Sequence, residues 1–378
     1  MCRDNDRNGI SGNMKFNYKG TFDKLKMGIK GLRDLLKKEL PSYEERVPMK
    51  DLENKKIVVD ASLFIYMYKA ACKERFEEMF MNLFSILLEH NIHLTFVFDG
   101  KSPKEKSNEK KKRADKREAS ILRVKKLEND LEDYTKTGEI SQDLHNINMK
   151  VSPPQFCLSK VKWYIEKLRS NILNVTEEDF KNVQSILTMF GIPYITAKGE
   201  AEILCAELVK KGAAHAVMTK DTDVLACCVP IMLYDVDLTN REFIQIRIET
   251  ILTGLALDKA SWLDLCIMCG TDFNDNIPSV GPITSLKYIK KYKSIEEIGS
   301  VVHKVDKKTK EELKLDISVL AHEKTRELFS FKDDVPDLVE GSKPDLENIE
   351  QWINDKRLNI SITTIRRRLG IDRFEYTE

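Results

Sequence analysis

Ile57-Val58-Val59-Asp60 is an apolar run that ends on a carboxylate, and the pattern recurs at Phe96-Val97-Phe98-Asp99 and Val217-Met218-Thr219-Lys220-Asp221. Strands buried on both faces of a parallel α/β sheet read as continuous apolar runs. Ligand sites in such sheets lie at the carboxyl ends of the strands. Residues 57–60, 94–99, 193–197, 214–219 and 231–236 are rich in Val, Ile, Phe and Tyr and predict strands. Helical patterns separate them. Leu63 to Leu88 is long and amphipathic, broken at Lys73-Glu74-Arg75. Thr176-Glu177-Glu178-Asp179 predicts a capped helix start leading into Phe180 to Phe190, and Ala201 to Lys211 a third helix closed by Gly212. The alternation predicts an α/β fold with a central, mainly parallel sheet and helices on both faces.

Seven carboxylates stand at predicted strand ends or helix starts: Asp60, Asp99, Glu200, Glu202, Asp221, Asp223 and Asp272. Each has a plain structural reading. Glu200 and Glu202 suit the positive end of a helix dipole, and Asp221-Thr222-Asp223 suits an N-cap beside a solvated acid. Their coincidence argues otherwise. Acids gathered at one sheet end repel one another, and their pKa values rise unless a cation intervenes. Oxygen-only ligands without His or Cys suit hard divalent ions, Mg²⁺ or Mn²⁺. Two such ions suit phosphodiester hydrolysis.

The chain has 378 residues, 42% hydrophobic and 33% charged, enough for a globular core. Lys+Arg (62) and Asp+Glu (61) nearly cancel, so charge distribution carries the information. Lys101 to Lys126 holds twelve Lys/Arg against four acids, a cationic pole that excludes the seven carboxylates. Such runs are ordinarily solvated faces. Lys106 and Arg113, however, share one face if the stretch is helical, and cations beside a metal cluster suit a scissile phosphate. No apolar run approaches the ~20 residues that span a bilayer. Eight scattered cysteines argue for reduced thiols, and Cys266 and Cys269 lie in an apolar helical run that suits core packing. Tyr134 to Gln155, with Gly138 and Pro153-Pro154, predicts a loop. Tyr66 is by default a core aromatic, but near a metal site it suits stacking on a base. Val280-Gly281-Pro282, opening a helix that bears Lys287, suits a phosphate-backbone grip.

These blocks resemble the flap endonuclease / XPG (RAD2-like) structure-specific nucleases. The resemblance rests on Met27-Gly28-Ile29-Lys30-Gly31-Leu32, Val59-Asp60-Ala61-Ser62, Val97-Phe98-Asp99-Gly100-Lys101, Gly199-Glu200-Ala201-Glu202, Thr219-Lys220-Asp221-Thr222-Asp223 and Gly270-Thr271-Asp272 with Gly281-Pro282. It implies a PIN-like domain with a helical arch insertion and a helix–two-turn–helix DNA-binding unit. It implies a Mg²⁺-dependent 5′ endonuclease and exonuclease, with two ions (Mn²⁺ substituting) held by the seven acids. The implied substrate is branched double-stranded DNA with a 5′ single-stranded flap, in replication, repair or recombination. Lys106 and Arg113 match the arch residues that engage the scissile phosphate, Tyr66 the aromatic that stacks on the unpaired nucleotide, and Gly28 the glycine beside the active site.

The expected organisation is an extension without order (1–26), a nuclease core (27–295) and a helical accessory region (296–378). The core divides into an N-region (27–126), an arch and insert (101–175) and an I-region (176–295). This chain departs from the family in four respects: residues precede Met27; the Tyr66 to Phe80 connection is short; the segment from arch to Glu200 is long; and Ile283-Thr284 rather than a basic residue follows Gly281-Pro282, with no sliding-clamp motif in the tail. Such departures resemble the versions carried by large DNA viruses. A monomer in the nucleus (the host nucleus for a viral protein), without membrane association, is expected. The competing reading is a non-catalytic DNA-junction binder on a nuclease fold, and an RNA-directed nuclease of the same fold remains a further alternative.

Overall fold

The computed structural model describes residues 28–151, 156–170, 172–305, 312–331 and 333–371. The expectations for residues 1–26, Pro153-Pro154 and the last seven residues lie outside that range. Seven strands form one sheet: β1 (Glu44–Pro48), β2 (Lys56–Asp60), β3 (His93–Phe98), β4 (Tyr194–Thr196), β5 (Ala216–Met218), β6 (Ile231–Asp237) and β7 (Glu242–Arg247). Their order is β1-β7-β6-β5-β2-β3-β4. The run from β6 to β4 is parallel, whereas β7 and β1 add antiparallel at one edge. The chain steps from β2 outward through β3 and β4, then returns to place β5 on the other side of β2. Asp60 and Asp221 therefore flank the switch in strand order, where open α/β sheets bind ligands.

Alternation along the central strand explains the two cores. Ile57 and Val59 pack with Phe80, Phe84 and Phe96 on one face, while Val58 packs with Leu204, Met232 and Trp262 on the other. The expected break at Lys73-Glu74-Arg75 is a 3₁₀ turn between helices Ala61–Cys72 and Phe76–Glu89. Thr176 and Asp179 form a reciprocal capping box on helix Glu177–Met189. Cys266 and Cys269 are buried free thiols in helix Lys259–Cys269, in keeping with core packing. That helix, two turns through residues 270–281, and helix Pro282–Tyr292 make the helix–two-turn–helix unit. Gly270 sits at φ 92° where the first turn leaves the helix, a region costly for any side chain.

The loop reading of Tyr134 to Gln155 is corrected. Helix Ser107–Thr137 runs through Tyr134, and Gly138, at φ 76°, is its C-cap rather than the opening of a long loop. Helix Gln142–Val151 follows, then helix Leu158–Ser170. Leu127, Leu144, Ile147, Val161 and Ile165 form a third apolar cluster that belongs to these three helices alone. Strands β1 and β7 are two further elements absent from the sequence reading.

Beyond residue 300 the chain folds back across the sheet. Helices Leu346–Asp355 and Ile362–Arg368 lie against Glu177–Met189 and Phe76–Glu89 and bury Ile349, Ile353 and Ile365 in the core. This docking also satisfies a buried acid. Glu77 accepts from Trp352 Nε1 and Asn182 Nδ2, both at 2.9 Å. Truncating Ile349 leaves a cavity in a fully packed site, so Ile349→Ala is expected to cost about 2–5 kcal/mol in urea unfolding. A loss below about 0.5 kcal/mol, the size of a neutral surface change, would detach these helices from the core.

Candidate metal and phosphate site

Strand ends deliver the acids. Asp60 closes β2 and caps the following helix: its Oδ1 accepts the Leu63 N–H at 3.2 Å and its Oδ2 accepts the Thr219 hydroxyl at 3.1 Å. Asp99 follows β3, and its Oδ1 accepts the Ala201 N–H at 2.8 Å, tying it to the helix start that carries Glu200 and Glu202. Oxygens of Asp99, Glu200 and Glu202 lie within 4.8 Å of one another. Asp221 leaves β5 and accepts the Asp223 N–H at 2.9 Å, while its own N–H reaches Thr219 Oγ1 at 3.1 Å. Asp60, Glu200, Glu202, Asp221 and Asp223 are buried, Asp272 is half-buried, and Asp99 is exposed.

Two cations from the arch connect these acids. Lys106 Nζ bonds Glu200 and stands 3.7 Å from Glu202 and 3.5 Å from Asp272. Arg113 grips both oxygens of Asp272 at 3.0 Å. Sequence spacing placed both cations on one helical face; Lys106 instead ends the 3₁₀ turn Lys104–Lys106, and only Arg113 is within the helix. They converge on Asp272 nonetheless.

Burial and crowding set the protonation. Burial, reinforced by the Asp99 charge, pushes Asp60 up to about 8. Burial lifts Asp221 to about 6 against the opposing Asp223 N–H. Asp223 rises through burial and the charges of Asp221 and Asp272. Glu202 rises through burial, with Lys106 opposing and Glu200 assisting. For Lys106 burial acts downward, but Glu202, Glu200 and Asp272 outweigh it and hold the ammonium charged. Arg113 is raised similarly, its burial outweighed by Asp272 and Glu109.

Among the described residues, Glu200 Oε1 and both Asp223 oxygens are buried without a hydrogen-bond partner. Stranded anionic oxygens are costly in a low-dielectric interior. An all-oxygen set with lone pairs free to donate on Glu200 and Asp223 fits a hard divalent cation. The residues present thus fit a metal centre.

Gly28 packs under this centre. Its φ is 76°, and a Cβ there would collide with Asp221 and Thr222. The next residue donates its N–H to Thr222 Oγ1 at 2.9 Å, and Lys30 N–H bonds Gly270 O at 2.9 Å. The N-terminal segment therefore joins the 219–223 loop to the loop carrying Asp272. Thr219 and Thr222, which orient these carboxylates and this backbone, were not singled out from sequence. Their only signal was adjacency to the acids.

Tyr66 is in the helix that Asp60 caps, 41% exposed, with its ring edge-on to Phe180 at 6.4 Å. Gly281 caps helix Pro282–Tyr292 and Lys287 is exposed on it. Among the described residues, no hydrogen bond or ion pair joins Tyr66, Gly281 or Lys287 to the acids.

The XPG N-terminal domain profile matches residues 27–120, and the XPG I-region profile matches residues 191–272. A putative RAD2-like endonuclease, 095R of Frog virus 3 (isolate Goorha), is 32% identical over 290 residues, covering 72% of this chain and 78% of its own length. Flap endonuclease 1 of Fusarium vanettenii is 32% identical over 349 residues, covering 86% of this chain and 80% of its own. The chain belongs to the XPG/RAD2-like endonuclease family. Among solved structures, the catalytic core of Rad2 with a DNA substrate superposes with a TM-score of 0.62 at 21% identity, over 92% of this chain and 100% of that one. The fold is thus the PIN-like fold of these nucleases.

The raised carboxylates give this family member a signed pH dependence. A folded pKa above the unfolded ~4 means the native state holds extra protons, so stability falls as pH rises. With Asp60 at about 8 and Asp221 at about 6, the metal-free protein should melt progressively lower between pH 4 and 8. Mg²⁺ should restore stability more at pH 8 than at pH 5, because binding displaces protons. Melting curves in EDTA and in Mg²⁺ test this, and a pH-independent difference between them counts against a shared acid pocket.

Proposed function

We propose that this protein is a Mg²⁺-dependent, structure-specific 5′ nuclease acting on branched DNA with a 5′ single-stranded flap. One observation carries the reading. Carboxylates from three strand ends, two helix starts and one loop lie close together beneath Lys106 and Arg113, and oxygens of Glu200 and Asp223 are buried there without a hydrogen-bond partner. Asp60, Asp99, Glu200, Glu202, Asp221, Asp223 and Asp272 would hold two divalent ions, Mg²⁺ with Mn²⁺ as a substitute. The chemistry such ions supply when bound is water activation and neutralisation of the leaving oxygen.

The chain's own groups do the rest. Lys106 and Arg113, now paired with carboxylates, exchange those partners for the oxygens of the scissile phosphate and offset its developing charge. Tyr66 offers an exposed ring on the helix that Asp60 caps, on which an unpaired terminal base stacks. Gly281, at a helix N-terminus, and Lys287 hold the duplex arm through its phosphates. Contacts of this kind position DNA without reading sequence and weaken steeply with salt. The products are a 5′ phosphate and a 3′ hydroxyl. The setting we propose is a monomer in the nucleus, serving replication, repair or recombination.

Cleavage of a labelled 5′-flap duplex in Mg²⁺ against EDTA is the direct test. Asp221→Ala should abolish cleavage while DNA binding persists; turnover near wild type would remove Asp221 from the metal site. Lys106→Ala and Arg113→Ala should each lower kcat by roughly 10²-fold, in the range of other transition-state charge donors. Binding without cleavage by the wild-type protein in Mg²⁺ would favour the junction-binder reading.

A further inference from the structure

Helix Leu158–Ser170 turns an unusual face outward. Val161 and Ile165 point into the third apolar cluster, with Leu168 packed against it. Trp163, on the opposite side, is 59% exposed. Its neighbours on that face, at i−4, i−3, i+3 and i+4, are Ser159, Lys160, Glu166 and Lys167, all exposed. Lys167 Nζ stands 4.9 Å from the Trp163 ring centroid. Glu166, the nearby acid, is engaged by Arg169 at 2.9 Å. Among the described residues, no carboxylate pairs with Lys160, Lys162 or Lys167. An indole this open, in a helix whose own apolar side is already satisfied, contributes nothing to the core.

The chemistry discriminates between occupants. Protein interfaces are enriched in Trp but depleted in Lys at their centres. Single-stranded nucleic acid asks for both: a flat ring for a base and cations for the adjoining phosphates. The placement agrees. Helix Leu158–Ser170 runs back along the arch helix, with Phe156 against Tyr134 at 5.1 Å and Arg169 bonded to Glu128 at 2.8 Å. Trp163 lies between these two anchors. Measured from Arg113 at 1.5 Å per residue, it stands roughly 20–30 Å along the arch from the acid pocket.

We propose that Trp163, flanked by Lys160 and Lys167, is a secondary contact for the unpaired DNA strand, stacking a base several nucleotides from the scissile phosphate. The proposal rests on the nuclease reading for its substrate, but its test separates the two. At about 3.4 Å per stacked nucleotide, a flap of about two nucleotides cannot span that distance, whereas one of about twenty can.

Two measurements decide it. Titrating oligothymidylate into the full chain in EDTA should quench the exposed tryptophan. Trp163→Phe should lose that quenching, since of the three tryptophans Trp262 is buried and Trp352 is docked on Glu77. In Mg²⁺, Trp163→Ala should raise KM for the long flap by roughly tenfold, within the range for removing one base stack, and leave kcat and the short flap unchanged. Trp163→Phe should keep KM near wild type. Absent quenching, or equal KM changes for both flap lengths, would overturn the contact and leave the face to a protein partner. Should wild type cleave neither flap, the nuclease reading falls, and the EDTA titration still decides the strand contact.

Discussion

Mutual repulsion among buried carboxylates is the constraint around which this molecule is organised. Five acids are buried close together, and stranded oxygens on Glu200 and Asp223 have no protein partner among the described residues. Such a cluster is tolerable only if protons, ammonium groups or metal ions enter it. The protein supplies two of those remedies itself. Asp60 and Asp221 shift toward the protonated state, and Lys106 reaches three acids at once. These are also the groups that divalent ions and a phosphate would displace, so the strain of the free site and its chemistry share one origin.

The arch is constructed to allow that exchange. Its long helix buries only Val124 and Leu127, and Leu127 joins the insert cluster rather than the sheet core. Its N-terminal end meets the core through charge pairs: Lys106 with Glu200, Lys112 with Asp275 at 3.1 Å and Arg113 with Asp272. The Lys112 pair is exposed and the Arg113 pair partly so, hence weak and screened by salt, whereas the Lys106 pair is buried. The arch thus meets the acids through charge rather than through apolar packing. By contrast, the C-terminal helices are anchored in the core by Ile349, Ile353 and Ile365, a bracing role for the sheet.

Much of this was legible in the chain because buried parallel strands leave continuous apolar runs, and a carboxylate ending such a run is conspicuous. β2, β3 and Asp60 followed directly. β1, Glu-Glu-Arg-Val-Pro, was missed because an edge strand carries charge and proline that mask its periodicity. The insert was misread because Gly138 stops one helix and another begins four residues later; local breakers do not reveal an apolar cluster assembled from three helices. Glu77 and Glu78 are both buried, Glu77 against Trp352, and no local pattern announces a partner 275 residues away. Lys106 was assigned to the right neighbourhood by spacing, but its reach to three acids is a matter of tertiary geometry.

One consequence follows from the wide spacing of the site in the chain. Arg113 and Asp272, which meet across the pocket, are 159 residues apart, as are Asp60 and Thr219. Non-local contacts of this kind form late, after the loop entropy between them has been overcome. On the ribosome, therefore, a growing polypeptide lacking Asp272 leaves Arg113 without that partner, and the contact closes only once the two-turn loop has been synthesised and docked.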